Sequence, residues 1–181
     1  MNNTLIAREI KPGTKPSAFP SRRPGGFTLP ELLVTMLIAA IAVTTALPGL
    51  RDFLAAQQLI SASNAFLHAI HQTRSEAMQR NDRMQMSPLD GKDWRSGWRI
   101  HAPENGASPA AIVSQHDALP SGLAISYTGG GQIIGYQENG QPARSGSWHF
   151  SLSGQSRVIY INFLGRARIC DPQRDGNCGA A

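Results

Sequence analysis

Four groups of side chains in this 181-residue chain have types and spacings that could do chemistry. The first is Gly165-Arg166-Ala167-Arg168, which sets two guanidiniums two residues apart. In a β-strand, residues i and i+2 share a face, so the pair would project side by side about 7 Å apart. That is comparable to the phosphate spacing along one nucleic-acid strand, and Arg binds phosphate bidentately without losing its charge. Arg157 and Arg174 could extend such a surface, as could Arg144, Arg95 or Arg99. The opposing reading is a solvated strand face whose arginines pair with Asp171 or Asp175. The second group is Cys170 and Cys178, with Pro172 and Gly176 between them. In an oxidising compartment they should form a disulfide closing a C-terminal loop, contributing about 2.5 kcal/mol by loop entropy. The third is His68 and His71, at the i, i+3 spacing that could place two imidazoles on one helix face. No acidic or Cys partner stands at motif spacing, so solvated helix residues are the better reading.

The fourth is a lone carboxylate, Glu31, inside FTLPELLVTMLIAAIAVTTAL (residues 27–47). A charge in mid-bilayer costs roughly 2.5–3.5 kcal/mol, less near the interface, so something must compensate for it. No G-x-S-x-G, P-loop or G-x-G-x-x-G at a strand–helix junction is present. Gly129-Gly130-Gly131 lies between strand-like runs and reads as a flexible loop rather than a phosphate cradle. The chain therefore reads as a non-enzyme, with no cofactor and no metal.

The elements that must position these groups begin at the N-terminus. Of 17 Lys and Arg and 12 Asp and Glu, residues 1–26 hold five basic side chains and Glu9. The other 155 residues are left with twelve basic against eleven acidic, so global charge is no argument for nucleic acid. Residues 27–47 as a helix would span about 30 Å, the thickness of a hydrocarbon core. Arg22 and Arg23 place the preceding end in the cytoplasm, and the chain beyond Pro48 outside it. A secretory signal peptide is the bland alternative, with Ala40-Ile41-Ala42 a weak cleavage site, but 21 apolar residues is long for one.

Gly26-Phe27-Thr28-Leu29-Pro30-Glu31-Leu32 resembles the prepilin processing motif of type IV pilins and type II secretion pseudopilins. The resemblance implies that a prepilin peptidase cuts between Gly26 and Phe27 and N-methylates Phe27. It also implies that Glu31 pairs with the N-terminal amine of a neighbouring subunit, which would compensate for the buried carboxylate. Residues 1–26 would then be a leader, 27–50 a transmembrane and filament-core helix, and 51–181 a periplasmic or extracellular head. The expected setting is the inner membrane, single-pass, with assembly into a pilus or pseudopilus.

From Arg51 to Arg80 there is no Gly or Pro, and apolar residues recur at Phe53, Ala56, Ile60, Leu67, Ile70 and Ala77. These steps of three, four or seven predict an amphipathic helix continuous with the membrane segment, interrupted or bent at Pro48-Gly49. Then come short strand-like runs at 83–87, 97–102, 111–115, 122–127, 132–137, 147–152, 157–163 and 166–170. Turn residues at Asp90-Gly91, Glu104-Asn105-Gly106, Glu138-Asn139-Gly140 and Ser153-Gly154 separate them. The prediction is an α+β fold, a long helix packed on an antiparallel sheet, with 147–152 and 157–163 as a hairpin.

This layout resembles the GspH/FimT branch of the pilin family. Trp94-Arg95-Ser96-Gly97-Trp98-Arg99-Ile100 is similar to its W-x-x-G-W-x-V element, and Phe163 to Cys170 to its terminal strand. Trp94 and Trp98 read as packing residues in a loop entering a strand. The GRxR pattern resembles that of FimT-type minor pilins, which implies non-specific binding of extracellular DNA for natural transformation. The alternative implied by the same family is a structural pseudopilin of a type II secretion system. Partners implied are other pilin subunits, the prepilin peptidase, DNA and inner-membrane lipid.

Overall fold

The computed structural model describes residues 26–103, 111–176 and 178. The basic pair Arg22-Arg23 and the turn expected at Glu104-Asn105-Gly106 lie outside the described residues. The chain divides into two compact units, one ending at Ala42 and one running from Val43 to Ala181. The second holds every strand.

Helix α1 runs Leu29–Arg80. It opens where the apolar segment does, with the Leu32 amide donating to the Thr28 carbonyl at 3.1 Å. Pro30 falls in its first turn, where backbone N–H groups have no intrahelical partner to lose. The helix continues through Pro48-Gly49, where an interruption or bend is expected. A proline withdraws one donor, and the flanking turns keep theirs. The helix stops at Asn81, which adopts a left-handed φ of 52°, and the Asp82 amide then reaches back to the Ala77 carbonyl at 3.2 Å. That six-to-one bond is the Schellman closure.

The buried stripe of α1 is Leu59, Ala62, Ser63, Phe66, Ala69, Ile70, Thr73 and Ala77. It shares Ile70 and Ala77 with the predicted stripe, but Ile60 and Leu67 are only half-buried and Phe53 is exposed. The line through Phe53, Ile60 and Leu67 lies one residue, about 100°, round the helix from the buried line of Leu59, Phe66 and Thr73, and so falls at the margin of the contact face. Two hydroxyls enter the core because their own helix satisfies them. Ser63 Oγ donates to the Ile60 carbonyl at 3.1 Å and Thr73 Oγ1 to that of Ala69 at 2.7 Å.

Among the described residues eight strands follow, close to the predicted runs: β1 Met84–Pro88, β2 Trp98–His101, β3 Ile112–His116, β4 Ala124–Thr128, β5 Ile134–Tyr136, β6 Gly146–Leu152, β7 Gln155–Ile161 and β8 Ala167–Cys170. They form two four-stranded antiparallel sheets rather than the single sheet expected, ordered β3-β2-β1-β5 and β4-β6-β7-β8. The alternation along each strand specifies a buried face without naming its neighbour. β1 pairs with β5, far along the chain. The predicted hairpin is present as β6–β7, with Leu152 opposite Gln155 across Ser153 (φ 49°) and Gly154 (φ 78°). Two successive positive φ angles in a two-residue loop match the right-handed strand twist.

The two sheets and the helix meet at Phe66. Its ring lies edge-on to Trp94 at 5.0 Å and Trp98 at 5.1 Å, and to Phe150 at 5.2 Å, with Trp148 at 6.2 Å. Trp98 belongs to the first sheet, and Trp148 and Phe150 to the second. The packing role expected for Trp94 and Trp98 is what the structure gives them, with Trp94 in a 3-10 turn and Trp98 opening β2. The Gly129-Gly130-Gly131 run departs from the flexible loop expected. Gly130 lies directly on the Trp148 indole, and a Cβ there would overlap the ring.

Two outcomes follow for the purified full chain in detergent, followed by urea denaturation. Phe66→Ala should lower stability by about 3–5 kcal/mol, and Phe66→Leu by clearly less, since only the ring geometry is then lost. Replacing both Cys170 and Cys178 by Ser should cost about 2.5 kcal/mol without moving the Phe66 cluster.

Candidate functional site

The arginine pair is presented by the corner between β7 and β8. After Ile161 the chain makes a β-turn, Asn162-Phe163-Leu164-Gly165, closed by the Gly165 amide donating to the Asn162 carbonyl at 2.9 Å. The Asn162 side chain organises the turn from within. Its Oδ1 accepts from the Leu164 amide at 3.1 Å and the Arg166 amide at 2.9 Å. Gly165 has φ 76°, and a Cβ there would lie 2.6 Å from the Gly140 carbonyl oxygen and 3.0 Å from the Tyr136 ring. Backbone angle and close approach both demand glycine at the head of the GRxR motif.

Two distant side chains pin the same turn. Arg74 of α1 donates through Nη1 to the Gly165 carbonyl at 3.0 Å and through Nη2 to that of Leu164 at 3.2 Å. The Tyr136 hydroxyl of β5 donates to the Gly165 carbonyl at 3.1 Å. Burial pushes the Tyr136 phenol up to about 12, with the nearby Arg74 charge pulling the other way. The phenol therefore stays protonated, and a donor, through the whole neutral range. Arg74, Tyr136 and Asn162 were not legible as site residues. Asn162 carries a local signal, an Asn three residues before a Gly. Arg74 carries none, because its partners lie 90 and 91 residues away.

Arg166 and Arg168 are both exposed, and Ala167 between them is buried at 9%. The alternation expected of a strand therefore holds at this position. Arg168 stands opposite Tyr160 on β7, and β8 is the end strand of its sheet. Among the described residues neither arginine has a carboxylate within ion-pair distance, and Asp171 is engaged elsewhere. Asp171 receives Arg157 at 3.5 Å and Arg174 at 3.7 Å, while Asp175 accepts the Asp171 amide at 3.1 Å. Arg157 is half-buried, and Arg174 is largely exposed. Arg95, a further candidate, is paired with Asp93 at 2.6 Å, and that contact holds the Asp93 carboxyl below its usual range. Arg166 and Arg168 are thus both left to solvent, while Arg157 and Arg174 share Asp171 and Arg95 pairs with Asp93; among the described residues Arg99 and Arg144 have no ion pair either.

Cys170 and Cys178 are disulfide-bonded, with Cα atoms 5.8 Å apart. The loop they close is tied to the β6–β7 turn by Gln173 Nε2, which donates to the Gly154 carbonyl at 3.2 Å. His68 and His71 are exposed on α1, and partial burial, then the charges of His68 and Arg74, lower the His71 pKa. His101 is buried against Ser87, Oγ to Nε2 2.9 Å, and the Ala102 carbonyl, 2.9 Å from Nδ1. Among the described residues no group of three or more His, Cys, Asp or Glu is placed to hold a metal ion. At the other end of the chain, Gly26 and Phe27 precede α1, Phe27 is 79% exposed, and Glu31 lies exposed in the first helical turn. The helix they open is long and apolar enough to cross a bilayer.

Comparison with known proteins places these features in a family. Residues 62–165 match the family model of the type II transport protein GspH, and residues 21–47 match the prokaryotic N-terminal methylation motif. No curated protein sequence matches the chain. In fold it is similar to the type IV minor pilin FimU of Pseudomonas aeruginosa PAO1, in two crystal forms. One has a TM-score of 0.59 at 22% identity, covering 67% of this chain and 95% of FimU. The other has 0.55 at 22% identity, covering 63% and 94%. The minor pseudopilin EpsH of the Vibrio cholerae type 2 secretion system gives 0.49 at 13% identity, covering 62% and 95%. With a family model spanning more than half of the sequence and a prokaryotic N-terminal methylation motif before it, the chain belongs to the GspH family of type II transport proteins, and its fold is pilin-like.

Proposed function

We propose that this protein is a minor pilin of a type IV pilus that binds extracellular DNA non-specifically through Arg166 and Arg168, serving DNA uptake in natural transformation. One observation carries the reading. Arg166, just before the end strand β8, and Arg168 on it are both exposed with no acidic partner among the described residues, after a turn held from three sides. Evenly spaced, permanently charged forks at a fixed separation suit a phosphate backbone, which needs no base contacts for affinity. The GspH match ends at Gly165, immediately before the arginines, so family membership alone does not supply this function. Arg157 and Arg174 would add field rather than contacts, since Asp171 already partners them. The family model's own description favours a second reading, a structural pseudopilin of a type II secretion system that contacts sibling subunits and no DNA.

Within either reading we assign residues 1–26 as a leader, 27–50 as the membrane and filament-core helix, and 51–181 as the head outside the inner membrane. The prepilin peptidase would cut between Gly26 and Phe27 and methylate the new amine. Glu31 would then meet the Phe27 amine of a neighbouring subunit. An exposed carboxylate on an apolar helix is stabilised in lipid only by such a partner.

The DNA reading is tested on the full chain in detergent, by fluorescence anisotropy with labelled duplex across a salt series. Binding should weaken with a log–log salt slope of about −1.8 for two phosphate contacts. Arg166→Ala plus Arg168→Ala should abolish it, and an undiminished affinity would leave the pseudopilin reading in place. Gly165→Ala should weaken binding while both arginines remain, because it displaces the turn that aims them. For processing, mass spectrometry of the filament or membrane fraction should find a mature N-terminus of N-methylated Phe27. An N-terminus downstream of Leu47 would rule the assignment out.

A further inference from the structure

We infer that Phe163 is a base-stacking platform, so that the site of Arg166 and Arg168 takes single-stranded DNA in preference to duplex. The inference rests on the DNA-binding reading above and deepens it. Phe163 is 77% exposed, the most exposed large apolar side chain in the sheet region among the described residues. Ile159 and Ile161 point into the core, and strict alternation would send residue 163 after them. Instead β7 ends at Ile161, and the Asn162 side chain bends the backbone so that Phe163 becomes the second residue of the turn. The ring is thereby held out in water. Among the described residues it has no aromatic neighbour.

The tip is also stiff. Asn162 fixes the backbone on both sides of Phe163, and Arg74 and Tyr136 hold the Leu164 and Gly165 carbonyls. With the backbone that carries the ring already fixed, less chain freedom is lost when a flat partner stacks on it. The partner's chemistry follows from the neighbours. Arg166 lies three residues on, at most about 10 Å of chain away, and Arg168 follows along the strand. A polyanion with exposed π-faces satisfies both halves, since cationic side chains track its backbone while an aromatic ring takes a base. In duplex DNA those faces are already occupied by neighbouring bases. An unpaired strand offers them.

The test compares oligothymidine with a duplex of equal length, both labelled, on the full chain in detergent over a salt series. Phe163→Ala should weaken oligothymidine binding about 5- to 150-fold, equivalent to about 1–3 kcal/mol of stacking, and leave duplex affinity unchanged. Its salt slope should match the wild type, whereas Arg166→Ala plus Arg168→Ala should flatten the slope on single strands by about 1.4. Phe163→Trp should retain binding and Phe163→Leu should weaken it about as much as Phe163→Ala, because leucine keeps the apolar area without the π-face. Equal loss on single strand and duplex would overturn the inference in favour of a duplex wedge. Full affinity in Phe163→Leu, or intact single-strand binding with impaired filament assembly, would mark the tip as a subunit contact and overturn it too. A wild-type chain that binds neither DNA form would instead defeat the DNA reading itself.

Discussion

The ring of Phe66 brings helix, first sheet and second sheet into contact at one point. The buried stripe of α1 and the buried residues of both sheets form one core cluster. Edge-to-face contacts with Trp94, Trp98 and Phe150 place one large side chain of α1 among three elements. Aromatic rings carry large apolar areas and a preferred geometry, so this cluster contributes both energy and orientation. Gly130, pressed on the Trp148 ring, shows how little slack surrounds it.

From that anchored helix, Arg74 reaches to the corner between β7 and β8. A guanidinium with two of its nitrogens on consecutive carbonyls fixes a turn more firmly than any single bond could. Tyr136 and Asn162 complete the support. The arginine pair is therefore not a feature of a loose terminal strand. Its position is inherited from the core through α1, which is why a glycine with a left-handed φ and no room for a Cβ heads the motif.

Exposed charge on an end strand has a structural use as well as a binding one. Arg168 on β8, with Arg166 just before it, discourages edge-to-edge pairing with another sheet. The same solvated, unpaired state leaves them available for phosphate. Arg157 and Arg174, sharing Asp171, illustrate the contrast. Their charge already serves to hold the disulfide-closed loop against the sheet.

The unbroken apolar run from Phe27 and its single carboxylate were legible from residue types and spacing alone, because bilayer thickness and charge cost act on any sequence. So were the eight strand positions and the Ser153-Gly154 hairpin, which follow from period-two alternation and turn chemistry. The alternation of Arg166, Ala167 and Arg168 was likewise a local property. The division into two sheets, the buried line through Leu59, Phe66 and Thr73, and the partners of each arginine were settled only by tertiary packing. Strand alternation specifies which side is buried and not which strand lies beside it. No local rule links Arg74 to a turn 90 residues later, and none shows that Asp171 would bond Arg157 and Arg174 while leaving Arg166 and Arg168 to the solvent.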